Sequence, residues 1–501
     1  MELIDHLALG FSTAFSLSNL LYCFLGVLLG TAIGVLPGIG TSATVAMLLP
    51  LTFQLDPTSS LIMLAGIYYG SQYGGSTTAI LVNLPGESSS AVTTIDGYQM
   101  ARKGRAGPAL AVAALSSFLA GTVATVLILA VAQPLTAIAL RFGPAEYFSL
   151  VLVGLVSSIA LASGSILKAV AMICLGLLVS LTGTDIYTAM PRLTFGQAQL
   201  EGGIDVVAVA AGAFGIGEII RNLEIGSLTR AGIAKVESIW PSRDDLRRMF
   251  GPAVRGTAIG SFLGVLPGSG ALLSAFVAYN VEKKWSANSA EFGKGAIEGV
   301  AAPEAANNAG AQTSFIPMLS LGLPSNVVMA LMIGAMMIQG ITPGPNVVVT
   351  HPDLFWGLIV SMWIGNIMLV LLNFPLIGMW VRLLSTPSWV LFPAIVTFCC
   401  IGVYSLNNSY FAMYILLISG LAGYLLVKLG CELAPFILGF ILGPMLEEHL
   451  RRAMSLSGGD PMIFVTSPIS AVLLIIAALA LVVVSLPTIS RRRKEVFVEE
   501  D

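Results

Sequence analysis

The sequence predicts an all-α polytopic membrane protein with two inverted repeats, broken or re-entrant helices and about ten to twelve transmembrane helices. Three observations carry this. Hydrophobic residues make up 56% of the 501 and charged residues only 10%, whereas a soluble domain carries about 25% charged residues. The heptapeptide Gly34-Val-Leu-Pro-Gly-Ile-Gly40 returns 230 positions later as Gly264-Val-Leu-Pro-Gly-Ser-Gly270. Lys and Arg, absent before Arg102, then cluster in loops whose repeat counterparts lack them.

Apolar runs long enough to span a bilayer are 16–36, 109–132, 353–378, 409–427 and 468–487. Shorter or broken runs are 58–70, 148–162, 166–182, 204–220, 252–266, 311–323, 327–340, 389–403 and 433–446. The repeat reaches beyond the heptapeptide. Asn83-Leu-Pro-Gly-Glu-Ser-Ser-Ser90 has a looser partner in Gly322-Leu-Pro-Ser-Asn-Val327, and Tyr73-Gly-Gly-Ser-Thr-Thr78 one in Asn307-Asn-Ala-Gly-Ala-Gln-Thr-Ser314. Half one is placed at 1–225, a cytoplasmic linker at 226–244, half two at 245–455, and a terminal helix with a basic tail at 456–501.

Loop charge sets orientation. Arg102/Lys103/Arg105, seven basic residues from Arg221 to Arg255, Lys283/Lys284 and Arg491 to Lys494 are expected on the cytoplasmic side. The counterpart of the 102–105 loop, 341–352, has no Lys or Arg. Matching loops with opposite signatures, basic in one copy and without Lys or Arg in the other, point to inversion; Arg451 and Arg452 dissent, since this scheme puts them outside. The acidic start Met1-Glu-Leu-Ile-Asp-His6 lacks the basic region of a secretory signal.

Pro37, Gly38 and Gly40, repeated as Pro267, Gly268, Ser269 and Gly270, break a helix at membrane depth. Opened backbone is tolerated there only when packed in protein or lining a cavity. A half-helix starting near Thr41 and Ser42 presents free N–H groups and roughly half a positive charge to an anion. The competing reading is a Gly/Pro kink that serves helix packing. Gly74, Gly75, Ser76 and Thr77 bring small and hydroxyl residues into an apolar region, as ligands or as a packing seam. The second break contributes Asn83, Pro85, Gly86 and Ser88, and its partner Pro324, Ser325 and Asn326. These residues form the expected substrate site.

Glu87, with Glu304, Asn307 and Asn308 in the counterpart region, is assigned to cation coupling, since an intramembrane carboxylate is costly and functional by default. Oxygen ligands of this kind hold Na⁺, and a carboxylate alone carries H⁺. The alternative is water-facing loop carboxylates. Asp96 and Glu298 read as more exposed and stay outside the site. Of the candidate substrate-neutralising cations Arg141, Lys168, Lys294 and Arg382, Arg141 and Arg382 lie where they would snorkel to headgroups. The five Cys show no metal-ligand spacing, and neither HExxH nor GxSxG occurs. No enzyme, cofactor or metal centre is expected beyond the coupling ion, and a net charge of −3 gives no reason to expect a nucleic-acid partner.

Gly34-Val-Leu-Pro-Gly-Ile-Gly40, Tyr69-Gly-Ser-Gln-Tyr-Gly-Gly-Ser-Thr77, Asn83-Leu-Pro-Gly-Glu87, Asp96-Gly97, Gly264-Val-Leu-Pro-Gly-Ser-Gly270, Ala302-Pro-Glu-Ala-Ala-Asn-Asn308 and Gly322-Leu-Pro-Ser-Asn326 together resemble the large membrane subunit of the tripartite tricarboxylate transporter family. The resemblance covers about 15–455. It implies a secondary importer in the bacterial cytoplasmic membrane, working with a small membrane subunit and a periplasmic binding protein that delivers a carboxylate such as citrate. The implied drive is a Na⁺ or H⁺ gradient, not ATP. Two other functions fit the same residues: a stand-alone carboxylate permease, and a passive anion channel.

Overall fold

A computed structural model describes residues 2–161, 165–185, 187–224, 234, 236, 239–266, 270–384 and 386–485. Pro267, Gly268 and Ser269, most of the 226–244 linker and the basic tail beyond 485 lie outside the described residues. The chain is all-α: among the described residues, β structure is limited to Gly183–Thr184 paired antiparallel with Pro191–Arg192.

Ten helices frame the centre: α1 (Leu17–Gly34), α2 (Thr41–Leu48), α3 (Pro57–Val82), α4 (Ala106–Ala139), α5 (Arg243–Val265), α6 (Gly270–Trp285), α7 (Glu298–Thr313), α8 (Phe315–Leu321), α9 (Val327–Ile338) and α10 (Pro352–Asn373). Starts follow their caps. Ser16 accepts from the Asn19 N–H at 3.3 Å, Asp56 ahead of Pro57 accepts from Ser59 N–H at 2.9 Å, and Ser242 with Asp245 forms a capping box.

Among the described residues, six helices are long and apolar enough to cross a membrane: Leu17–Gly34, Ala101–Ala139, Val206–Glu224, Pro352–Asn373, Tyr410–Lys428 and Leu433–Leu456. A pair bent by 99°, Ile377–Leu384 with Trp389–Ser405, makes a seventh if counted as one broken span. Five shorter apolar helices of 10–17 residues, Pro468–Val482 among them, stand beside these.

The two innermost helices are absent from that set. Every residue of α3 from Thr58 to Val82 is buried, as is every residue of α7. α3 is rich in Gly, Ser and Thr, and α7 in Ala with two Glu, two Asn and a Gln, which lowers their hydropathy. The apolar run 58–70 therefore stops short of the real helix, which continues unbroken through Gly74 and Gly75 to Val82. Its glycines explain the continuation. A Cβ on Gly26, Gly30 or Gly34 would lie 2.3 Å from the carbonyl oxygen of Met63, Ile67 or Ser71, so α1 and α3 touch backbone to backbone. Gly256, Gly260 and Gly264 of α5 stand in the same relation to Ala302, Ala306 and Gly310 of α7, at 2.2 to 2.4 Å. Each α5 glycine lies 230 positions after its α1 equivalent.

α3 and α8, the helix that follows α7, end alike. Asn83 after α3 and Gly322 after α8 adopt left-handed conformations, φ 60° and 71°, and each precedes Leu-Pro. Four residues on, Glu87 (φ −143°, ψ 163°) and Asn326 (φ −156°, ψ 176°) are both extended helix N-caps. The position equivalent to Glu87 is therefore Asn326, not Glu304.

Among the described residues, ion pairs mark both ends of α4. At the start of α4, Arg105 pairs with Asp245 at 2.5 Å, and Arg248 with Glu298 at 2.9 Å and Glu291 at 2.6 Å. Beyond the other end of α4, about 50 Å away along its axis, Tyr147 stacks on His449, beside Glu447 and Arg451. There Arg451 pairs with Asp185 at 3.1 Å and Glu447 at 2.7 Å, and Arg452 with Glu448 at 3.2 Å.

Candidate functional site

The first break runs from α1 into α2. Pro37 ends the helical ladder, Gly38 turns the chain at φ 81°, and Gly40 caps α2 with no side-chain hydrogen bond. The second break, after Asn83, folds back onto this point. A Cβ on Gly86 would lie 2.4 Å from Gly75 Cα and 2.6 Å from Gly34 O. Glycine is required there because the 83–90 loop threads between the end of α1 and the middle of α3. The loop thus delivers the carboxylate of Glu87, 7% exposed, to the first residue of α2.

Glu87 accepts from Thr41 Oγ1, from Ser89 Oγ at 2.5 Å and from Asn307 Nδ2 at 2.9 Å. The Asn307 bond ties the first half of the chain to the second. One turn earlier on α7, Glu304, 1% exposed, accepts from Ser76 Oγ at 2.8 Å, from Thr93 Oγ1, and from Ser117 Oγ at 3.5 Å. Asn308 donates to Ser117 Oγ at 2.6 Å and to Glu304 O at 3.1 Å. Two buried carboxylates therefore lie between the halves, and all their hydrogen-bond donors are neutral. Among the described residues no Lys, Arg or His pairs with either; Lys168 and Lys294 instead donate to the carbonyls of Leu429 and Ala290.

The structure thus gathers Thr41, Gly75, Ser76, Gly86, Glu87, Glu304, Asn307 and Asn308 around one centre. Thr77 lines a cavity of about 20 Å³ beside Glu304, together with Tyr73, Ser117 and Asn373. On the opposite side, Asn326 caps α9 by accepting from Met329 N–H at 3.0 Å and donates to Tyr68 Oη at 3.4 Å; Ser325 Oγ donates to Ser314 O at 3.2 Å. Gly270 opens α6 with φ 48°, and a Cβ there would lie 3.8 Å from Asn326 Cβ.

Other expected site residues have different work. Gly74 packs against Val35 N and Thr31 O in the α1–α3 seam. Asn83, Pro85 and Ser88 are exposed, with Asn83 serving as the left-handed cap of α3. Asp96 and Glu298, expected to be exposed, are 0% and 4% exposed. Asp96 accepts from the N–H groups of Gly295 and Ala296 at 2.7 and 2.8 Å and from Tyr279 Oη at 2.9 Å, fixing the approach to α7. Tyr73, Thr93, Ser117 and Asn373 were not anticipated. Ser116-Ser117 inside the apolar run 109–132 was the visible hint for one of them.

A model of the Tripartite tricarboxylate transporter TctA family matches residues 20–438. Two Agrobacterium vitis relatives are each 59% identical. An "Uncharacterized 52.8 kDa protein in TAR-I ttuC' 3'region" matches over 501 residues, the whole of both chains. An "Uncharacterized protein in TAR-II ttuC' 3'region" matches over 242 residues, 48% of this chain and all of that one. No solved structure matches. The chain belongs to the TctA family, a family of membrane transporters.

Proposed function

We propose that this TctA family chain is the large membrane subunit of an importer that takes up organic carboxylates, citrate-like or related acids, using a Na⁺ or H⁺ gradient. The observation that carries the reading is the pair of carboxylates, Glu87 and Glu304, buried between the two halves and held by neutral donors alone. A buried carboxylate without a positive partner is costly, so a site of this kind suits a cation that arrives and leaves.

The geometry offers a route for coupling. Thr41, which begins α2, is bonded to Glu87. A substrate carboxylate would be drawn to the same half-helix N-terminus, at Gly38 to Ser42, and to its counterpart at the start of α6 by Gly270, with Ser325 and Asn326 adding side-chain hydrogen bonds. Glu87 and substrate then compete for one place. Neutralising the acidic pair with a cation weakens the hold of Glu87 and favours the substrate. The two halves would be inverted repeats moving about this interface, in the bacterial inner membrane, with a small membrane subunit and a periplasmic binding protein as partners.

The test is uptake of radiolabelled citrate into liposomes containing the chain and its small membrane partner, under imposed Na⁺ or proton gradients, with and without binding protein. Accumulation above equilibrium that needs both gradient and binding protein supports the proposal. Accumulation without binding protein supports a stand-alone permease, and gradient-independent leak supports a channel.

A further inference from the structure

Building on the cation-coupled reading above, we infer that the cavity beside Glu304 is a sodium-binding pocket whose oxygen ligands come from Glu304, Ser76, Thr77, Ser117, Tyr73 and Asn373. All six line the cavity. Its volume of about 20 Å³ is just above the 10–15 Å³ or so that one water needs. It is far below the roughly 300 Å³ at which small-molecule pockets begin. A single small ion fits; a carboxylate substrate does not.

The donor set is one carboxylate, four hydroxyls and one amide. Hard cations choose such oxygens, and a single formal charge in the lining balances a monovalent ion.

Asn373 gives independent evidence. It is 7% exposed, and its Oδ1 has no hydrogen-bond partner, although its Nδ2 donates to Leu369 O at 3.0 Å. A buried amide oxygen left alone costs about 1–3 kcal/mol. A proton on Glu304 neutralises the carboxylate but does not supply the remaining oxygens, and a water brings no charge. Sodium meets both needs. Asn373 also ends α10, and Ile377, which opens the next helix, lines the same cavity. A bound ion would therefore hold the end of α10 against α3, α4 and α7.

The test is binding of ²²Na⁺ to the purified chain in lipid nanodiscs. Wild type is expected to bind ²²Na⁺ saturably, displaced by unlabelled Na⁺ and not by choline. Asn373→Leu and Ser117→Ala each lose about tenfold in affinity, close to 1.4 kcal/mol. Asn373→Asp keeps the oxygen and retains binding, and Gly378→Ala, with open space around it, binds as wild type. Ser117→Ala removes one oxygen and little volume, so it still reports if Asn373→Leu fails to fold. Wild-type affinity in both Asn373→Leu and Ser117→Ala would overturn the inference and leave ion-driven import standing. So would an absence of ²²Na⁺ binding while a proton gradient drives accumulation. Absence of accumulation under either gradient would instead strike at the import reading, even with ²²Na⁺ bound at this pocket.

Discussion

Gly86→Ala puts a single methyl group at the tightest crossing of the candidate site. Its Cβ would lie 2.4 Å from Gly75 Cα, 2.6 Å from Gly34 O and 3.2 Å from Gly75 O. Ordinary carbon contacts begin near 3.5 Å, so the 83–90 loop must move by about 1 Å. Its neighbours are backbone atoms of two helices already in direct contact, and they cannot yield. Overpacking of this kind costs about 1–3 kcal/mol. The functional cost comes on top. A shift of that size stretches the Asn307–Glu87 bond from 2.9 Å to about 3.9 Å, beyond hydrogen-bonding range. Losing a bond to a charged group costs about 1.5–3 kcal/mol, roughly a 10- to 150-fold loss. Gly75→Ala should be gentler on stability, because its nearest obstacle is Glu87 Cγ at 2.9 Å, a side-chain atom able to turn away. Gly378→Ala, in open space, is the control. The assay is initial uptake per correctly inserted molecule, alongside the thermal unfolding midpoint in nanodiscs. Wild-type uptake and midpoint in Gly86→Ala, or equal losses in Gly86→Ala and Gly378→Ala, would refute the reasoning.

Gly30→Ala and Gly260→Ala place a methyl 2.3 Å from the carbonyl oxygens of Ile67 and Ala306. Each should cost about 1–3 kcal/mol, seen as similar drops in thermal midpoint. Asp96→Ala strands the N–H groups of Gly295 and Ala296 and the hydroxyl of Tyr279. At about 1–3 kcal/mol for each orphaned donor it should be among the most destabilising single changes, measurable as a loss of folded yield. Asp245 lies ahead of the apolar part of α5. Burial pushes its carboxyl up, but hydrogen bonds from Arg105 and Ser242 outweigh this and hold it below the ordinary value. Its stabilisation is therefore present above the unfolded value of about 3.9 and is lost as pH falls through the lower folded value. Asp245→Asn should flatten that acid limb in a pH series of thermal midpoints, and an unchanged limb would count against the Arg105 pairing.

The long apolar runs read directly as helices: 16–36 became Leu17–Gly34, 353–378 became Pro352–Asn373, and 409–427 became Tyr410–Lys428. Length and hydropathy suffice there because those helices are apolar along their length, whether largely exposed, as Tyr410–Lys428, or mostly buried, as Pro352–Asn373. The same signals fail for α3 and α7, whose interiors are lined by Gly, Ser, Thr and Asn. In them polarity marks close packing and the site, not exposure. Glu87, Glu304, Ser76, Asn307 and Asn308 were legible as costly polar groups in apolar surroundings. Thr93, Ser117 and Asn373 were not, because their meeting with Glu304 joins positions about two hundred or fewer residues apart through folding alone. The exposure of Asp96 was misjudged for a related reason: its three donors come from 279–296, a segment remote in sequence.

The central claim is that the carboxylates between the halves couple cation movement to carboxylate uptake. It is tested most directly by comparing gradient-driven accumulation with gradient-free substrate exchange in the same liposomes, for wild type, Glu87→Gln and Glu304→Gln. The expected result is exchange that persists in Glu304→Gln while accumulation falls to the equilibrium level, with Glu87→Gln impaired in both. Accumulation to the wild-type ratio in Glu304→Gln and Glu87→Gln would contradict the account.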